Sequence, residues 1–167
     1  MKIQLAKPEE VSQIKALTEA CAAHMIDQGI FQWNEHYPSK AVFENDLSRK
    51  ELYTLKKGDE IQGVIVLTPI EDEEYKDIVW SGDKGKKLFI HRLAVHPKWQ
   101  GKGCAQKLME FAENFAKQEG YSWIRLDTFS QNKRNVRFYE KRGFTRLGSI
   151  YFPKQSIHAF YCYDLPL

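Results

Sequence analysis

Gln100, Gly101, Gly103 and Ala105 lie together in the run Trp99 to Met109, WQGKGCAQKLM, and their spacing suits a definite chemistry. Glycine lacks a Cβ and Ala105 has only a methyl, so a bulky anion can approach the main chain of residues 100–105 closely. If a helix starts there, its first turn presents N–H groups without intrahelical partners and the positive end of the helix dipole. Those are the requirements of a pyrophosphate site. The same Gly-x-Gly serves an ordinary tight turn between strand and helix, and the residues alone leave both uses open. No Lys-Ser or Lys-Thr follows the glycines as a P-loop needs, and the third glycine of a dinucleotide fingerprint is missing. Two titratable side chains, His91 and Asp127, fall on predicted strands either side of this stretch. An imidazole titrates near neutrality and a carboxylate accepts protons, so either suits a general base, and either equally suits a structural hydrogen bond.

Hydrophobic periodicity places the elements that must position these groups. Leu88 to Val95 is an apolar run stopped by Pro97 and reads as a central strand. From Gly101 onward Cys104, Leu108, Phe111, Ala112 and Phe115 share one helical face, opposite Lys107, Glu110, Glu113 and Lys117, and Gly120 ends the helix. Trp123 to Asp127 is then a strand parallel to the central one, because a strand-helix-strand crossover favours that direction. A short helix spans Asn132 to Lys141 and closes at Gly143, and two apolar runs, Phe144 to Phe152 and Ile157 to Tyr163, suit a final antiparallel hairpin broken by Pro153.

Upstream, Ile3 and Leu5 alternate with polar residues in a first strand, and Val11, Ile14, Leu17, Cys21 and Met25 stripe a helix from Pro8 to near Gly29. Ser39 caps a second helix running to about Arg49. Leu52 to Lys56 and Ile61 to Leu67 form a hairpin around Gly58-Asp59. Between the helices the chain is dense in aromatics, and Trp33 and Tyr37 either pack the core or wall a substrate pocket. Glu71 to Tyr75 reads as a solvated loop face, and Trp80 sits on a flexible loop suited to substrate recognition.

At 167 residues and 43% hydrophobic content the chain has material for one core, so residues 1–167 are expected to form a single domain. A formal charge of +3 from 25 basic and 22 acidic residues is spread along the sequence, without the dense basic block of a nucleic-acid partner. Cys21, Cys104 and Cys162 are widely separated with apolar neighbours, which fits reduced core residues and no metal. No apolar stretch approaches a membrane span, and the N-terminus lacks a signal-like core, so a cytoplasmic protein is expected.

VHPKWQGKGCAQKL followed by RLDTFSQNKRNVRFYEKRGF resembles the GNAT superfamily of acetyl-CoA-dependent N-acetyltransferases over Leu88 to Phe144. Gln100, Gly103 and Ala105 match its Gln/Arg-x-x-Gly-x-Gly/Ala signature, while Asn132 and the run Tyr139 to Phe144 match its second signature. The resemblance implies an α/β (α+β) fold: a mixed, mostly antiparallel sheet, helices on both faces, and one splayed parallel central strand pair. It further implies that residues 100–105 (Gln100, Gly101, Lys102, Gly103, Cys104, Ala105) receive the coenzyme A pyrophosphate. Main-chain groups of Leu93, Ala94 and Val95 would lie along the pantetheine arm. Asn132, Asn135, Phe138 and Arg142 complete the cofactor contacts, with Asn135 standing where the family commonly carries a small apolar residue. Lys102, Lys141 and Arg142 are candidates to neutralise phosphate.

That activity sets a proton problem. A primary amine has a pKa of about 10.4 and is almost all ammonium near pH 7, so a base must free its lone pair. His91 stands where family members often carry Glu or another ionisable residue, and Asp127 is the second candidate. Tyr139 matches the general acid that protonates the departing thiolate, although it also suits ordinary helix packing beside Phe138. The expected reaction is direct acetyl transfer to a small-molecule amine, with a protein N-terminus or lysine as the alternative acceptor. A non-catalytic acyl-CoA sensor would keep Gln100, Gly103 and Ala105 but not need Tyr139. A homodimer is common in the family.

Overall fold

Val64, Ile65, Val66 and Leu67 form an unbroken apolar run in the middle of one strand, and all four are buried. A strand covered on both faces reads as such a run rather than as an alternation. It is β3, Glu60–Thr68, of a computed structural model that describes Met1–Leu167. The other strands are β1 (Lys2–Leu5), β2 (Leu52–Lys57), β4 (Lys86–Val95), β5 (Tyr121–Phe129), β6 (Thr145–Ile150) and β7 (Phe160–Pro166). Four α-helices join them: α1 (Val11–Asp27), α2 (Lys40–Ser48), α3 (Cys104–Gln118) and α4 (Lys133–Lys141). The strands form one sheet in the order β1-β2-β3-β4-β5-β7-β6, mostly antiparallel, with β4 and β5 as the parallel pair. This is the expected mixed α/β architecture. By its internal contacts the chain divides into two compact units, Met1–Leu67 with His91–Ala112, and Thr68–Ile90 with Glu113–Leu167, so that β4 and α3 contribute to both.

In the first unit β2 pairs antiparallel with β1 and β3, with Leu52 opposite Val66 and Thr54 opposite Val64. Val11, Ile14, Leu17 and Cys21 of α1 and Phe43 of α2 pack with Leu52, Val64, Val66 and Ala94 in one core. On the other strand face Tyr53 meets Phe111 of α3 at 5.0 Å between ring centroids. Gly63 lies on that side because α3 comes close: a Cβ there would sit 2.9 Å from Leu108 Cδ1 and 3.0 Å from the Ala94 carbonyl oxygen. Ser39 caps α2 as expected, its hydroxyl accepting from the Val42 N–H at 3.2 Å.

In the second unit β4 and β5 run in parallel register from Lys86 opposite Tyr121 to Ile90 opposite Leu126. The ladder ends there, although β5 continues to Phe129 on its antiparallel pairing with β7. Two expectations need correction. The last strand is Phe160–Pro166, not Ile157 to Tyr163. Its pairing with β5 carries it through Asp164 and Leu165 to Pro166, while Ile157 is 88% exposed. A proline is tolerated at that end of a strand, where no further ladder donor is needed. On α3 the buried line is Cys104, Leu108, Met109, Ala112 and Ala116, with Phe111 and Phe115 half-buried at its flank.

Candidate functional site

The glycine turn has the backbone conformations that an anion site uses. Gly101 (φ +73°) and Gly103 (φ +81°) are both left-handed, a region glycine enters without the Cβ penalty. Left-handed residues interrupting a turn aim successive N–H groups to one side, the concave arrangement that binds anions. A Cβ added at either glycine would meet nothing within 4 Å, so the turn borders open space. It leads into the fifteen residues of α3, long enough to carry a full dipole at its N-terminus. Gln100 Nε2 donates to the Val95 carbonyl at 3.0 Å and ties the turn to the end of β4, and Cys21 Sγ donates to the same carbonyl at 3.2 Å. Cys104 is buried at the head of α3, and Lys102 lies over the Trp99 ring, 4.6 Å from its centroid. Open space, left-handed glycines and a basic side chain fit a pyrophosphate.

Just before this end of β4 the backbone does something no glycine explains. Arg92 has φ +52° inside the strand, a conformation that costs a non-glycine residue of order 1–3 kcal/mol and breaks the strand's alternation. Its side chain is gripped in compensation. Nε donates to Asp46 Oδ2 at 2.8 Å and an Nη donates to Oδ1 at 2.6 Å, with Tyr37 Oη 3.4 Å from the other Nη. Burial works against the guanidinium charge, but the Asp46 bonds outweigh it and raise the pKa. Leu93, Ala94 and Val95, the expected main-chain contacts of the pantetheine arm, follow directly. Sequence reasoning passed over Arg92 and Asp46; the available signal was an arginine inside the apolar run LFIHRLAV.

The aromatics upstream divide. Trp33 is buried in the core cluster with α1 and α2, so its ring serves packing, whereas Tyr37 is half-buried and steadies Arg92. His91 departs from expectation. Its Nε2 is buried, and desolvation, aided by the Arg92 charge and opposed by Asp46, pushes the imidazole down to about 4 instead of leaving it near neutrality. At pH 7 it is neutral and a weak base.

The second unit gathers the proton-carrying groups. The Tyr75 hydroxyl donates to Asp127 Oδ2. Burial first, and the Asp127 charge second, raise the pKa of Tyr75, of Tyr139 and of Cys162. Tyr139 is 5% exposed on α4 and lies edge-on to Phe138 and Phe144. Asn132 spends its side-chain carbonyl as the α4 N-cap, accepting from the Asn135 N–H at 3.2 Å. Arg142 Nε donates to Glu113 at 2.6 Å, and Lys141 is exposed.

Two loop expectations are corrected by the same unit. Glu71, Glu73 and Glu74 are exposed, but Tyr75 at the end of that run is fully buried. The Trp80 loop is pinned rather than flexible. Trp80 covers the Arg125 guanidinium at 4.3 Å, Arg125 donates to the Gly82 carbonyl at 2.6 Å, and Asp164 accepts from Ser81 N–H and Oγ–H at 2.8 and 2.9 Å.

Asp46→Ala should strand a largely buried guanidinium and release the left-handed backbone at Arg92, costing about 3 kcal/mol or more in urea unfolding. A loss under about 1 kcal/mol would show that the pair does not hold the strand. For His91 the sign follows from its lowered native pKa: the unfolded chain takes up a proton near pH 6.5 that the folded chain refuses until about pH 4. Stability is retained above pH 6.5 and falls between those values by up to about 3 kcal/mol. His91→Gln should flatten that part of the stability-pH curve, and an unchanged slope would refute the assignment.

The model of the Acetyltransferase (GNAT) family matches residues 15–144. The uncharacterized N-acetyltransferase YesJ of Bacillus subtilis is 25% identical over 145 residues, spanning 84% of this chain and 79% of YesJ. A solved Staphylococcus aureus Mu50 structure described as an acetyltransferase is 30% identical and covers 99% of both chains with a TM-score of 0.77. YncA of Salmonella typhimurium, solved with its cofactor acetyl-CoA, is 18% identical with a TM-score of 0.69 over 100% of this chain and 94% of its own. The two signatures and these matches agree, and the chain belongs to the GNAT family, as an acetyltransferase that uses acetyl-CoA.

Proposed function

We propose that the enzyme transfers the acetyl group to a primary amine of a small molecule by direct attack. The observation that carries the donor half is the turn of Gly101 and Gly103 at the head of α3. Gln100 to Ala105 would hold the pyrophosphate, the main-chain groups of Leu93 to Val95 the pantetheine arm, and Asn132, Asn135, Phe138 and Arg142 complete the cofactor contacts. When bound, acetyl-CoA supplies the acetyl group activated as a thioester.

Tyr139 is the proposed acid. Burial keeps its phenol protonated, and the same desolvation raises a thiol's proton affinity, as it does for buried Cys21, pushed up to about 12. A sulfur leaving in such surroundings therefore competes for the phenol proton better than a thiolate in water would. Asp127 replaces His91 as the proposed base, because a carboxylate can pair with the acceptor's ammonium through its charge, which a buried neutral imidazole cannot do. No helix is long and apolar enough to cross a membrane, and the three free, buried thiols suit a reducing compartment such as the cytoplasm.

The donor half is tested by the thermal midpoint with acetyl-CoA, free CoA or ATP at matched concentrations. At about one hundred times Kd either coenzyme form should add roughly 2.7 kcal/mol, with no shift from ATP. An equal shift with ATP would reduce the turn to generic phosphate binding. For the acid, Tyr139→Phe should lower kcat by about 100-fold with the acetyl-CoA KM within about twofold, read as amine-dependent thiol release. An unchanged kcat would remove that role.

A further inference from the structure

Tyr75 is the residue whose environment the reaction so far leaves unexplained. It ends a run of exposed glutamates, yet its side chain is fully buried, with its ring against Phe89 at 5.7 Å and Trp80 at 5.5 Å. Apolar packing accounts for the ring and not for the hydroxyl, which is spent on the Asp127 carboxylate. A buried phenol is retained at such a place when its one donor has work to do.

We infer that Tyr75 is the positioning residue of Asp127, and that Asp127, so held, is where the acceptor's ammonium docks and gives up its proton. This rests on the amine-acetylation reading above. Three observations carry it. The Tyr75 O–H points its proton at Oδ2, which stabilises the ionised carboxylate and fixes its plane. Tyr139 and Cys162, the other groups on which the Asp127 charge acts, are kept protonated by burial and so add no competing anion. The segment carrying Tyr75 is anchored on its C-terminal side, through Trp80 on Arg125 and Ser81 on Asp164, so the phenol is presented from a held loop.

The proton balance closes. The ammonium nitrogen passes one proton to Asp127, and its freed lone pair forms the C–N bond as the C–S bond breaks. The departing sulfur takes the Tyr139 proton, and the second proton shed by nitrogen restores that phenol. Asp127 then releases its proton to solvent, so an ammonium and a thioester give an amide, a thiol and one proton. In water the first transfer is uphill by about six pKa units, and partial desolvation of the bound ammonium, which lowers its pKa, narrows that gap.

A panel of primary amines and N-terminal peptides first identifies the acceptor that wild type uses, which decides the acceptor class on its own. Tyr75→Phe, Asp127→Asn and the double variant are then assayed with that acceptor. Tyr75→Phe, which removes one hydroxyl and keeps the ring, should lower kcat/KM for the acceptor by about tenfold or more. The acetyl-CoA KM should stay within about twofold, and the double variant should be no worse than Asp127→Asn alone. A lower Tm with kinetics unchanged, or losses that multiply in the double variant, would overturn the inference and leave Tyr75 a packing residue.

Discussion

An arginine in a left-handed conformation inside a strand is tenable only if something outside the strand holds it, and the Asp46 carboxylate does so with two hydrogen bonds. The arrangement links three levels of the molecule. Asp46 is nearly fully buried on α2, so α2 must dock before the pair can form. Arg92 in turn sets the path of Leu93 to Val95, and the Val95 carbonyl anchors Gln100 and hence the glycine turn. The C-terminal end of β4 therefore depends on an ion pair whose acid lies 46 residues upstream. A buried pair of this kind is not a cheap source of stability, since desolvation offsets much of its Coulombic gain. Its value is in geometry.

Burial also sorts the proton chemistry. Desolvation disfavours whichever form is charged, so it keeps Tyr75, Tyr139, Cys21 and Cys162 protonated while it keeps His91 neutral. One physical cause thus keeps the phenols protonated and leaves the imidazole a weak base. The same cause argues against a thiol as acyl carrier, because an attacking thiolate would be hard to form. Asp127 stands apart because a neighbour donates to it: the Tyr75 hydroxyl favours the carboxylate's charged form.

Local periodicity and turn chemistry were legible along most of the chain. The α3 stripe, the Ser39 cap, the Gly58 hairpin and the Gly101-Gly103 turn each follow from contacts within a few residues, which sequence spacing encodes directly. The signature residues Gln100, Gly103, Ala105, Asn132 and Tyr139 were legible for the same reason. What misled was burial that depends on distant partners. Tyr75 looked like the end of a solvated acidic run until the Asp127 carboxylate, 52 residues away, accounted for it. Trp80 looked like a mobile aromatic until Arg125 and Asp164 pinned its loop.

The sequence by itself determined the family, the fold class and the glycine turn before α3, because helix starts, glycine conformations and strand periods are local properties. Only the tertiary structure decided which titratable groups can work. A pKa reports solvent exclusion and nearby charge, and both come from elements far apart in the chain. His91 is held neutral by desolvation, Trp33 turns into the core, and Tyr75, Arg92 and Asp46 find partners that no spacing in the sequence announces.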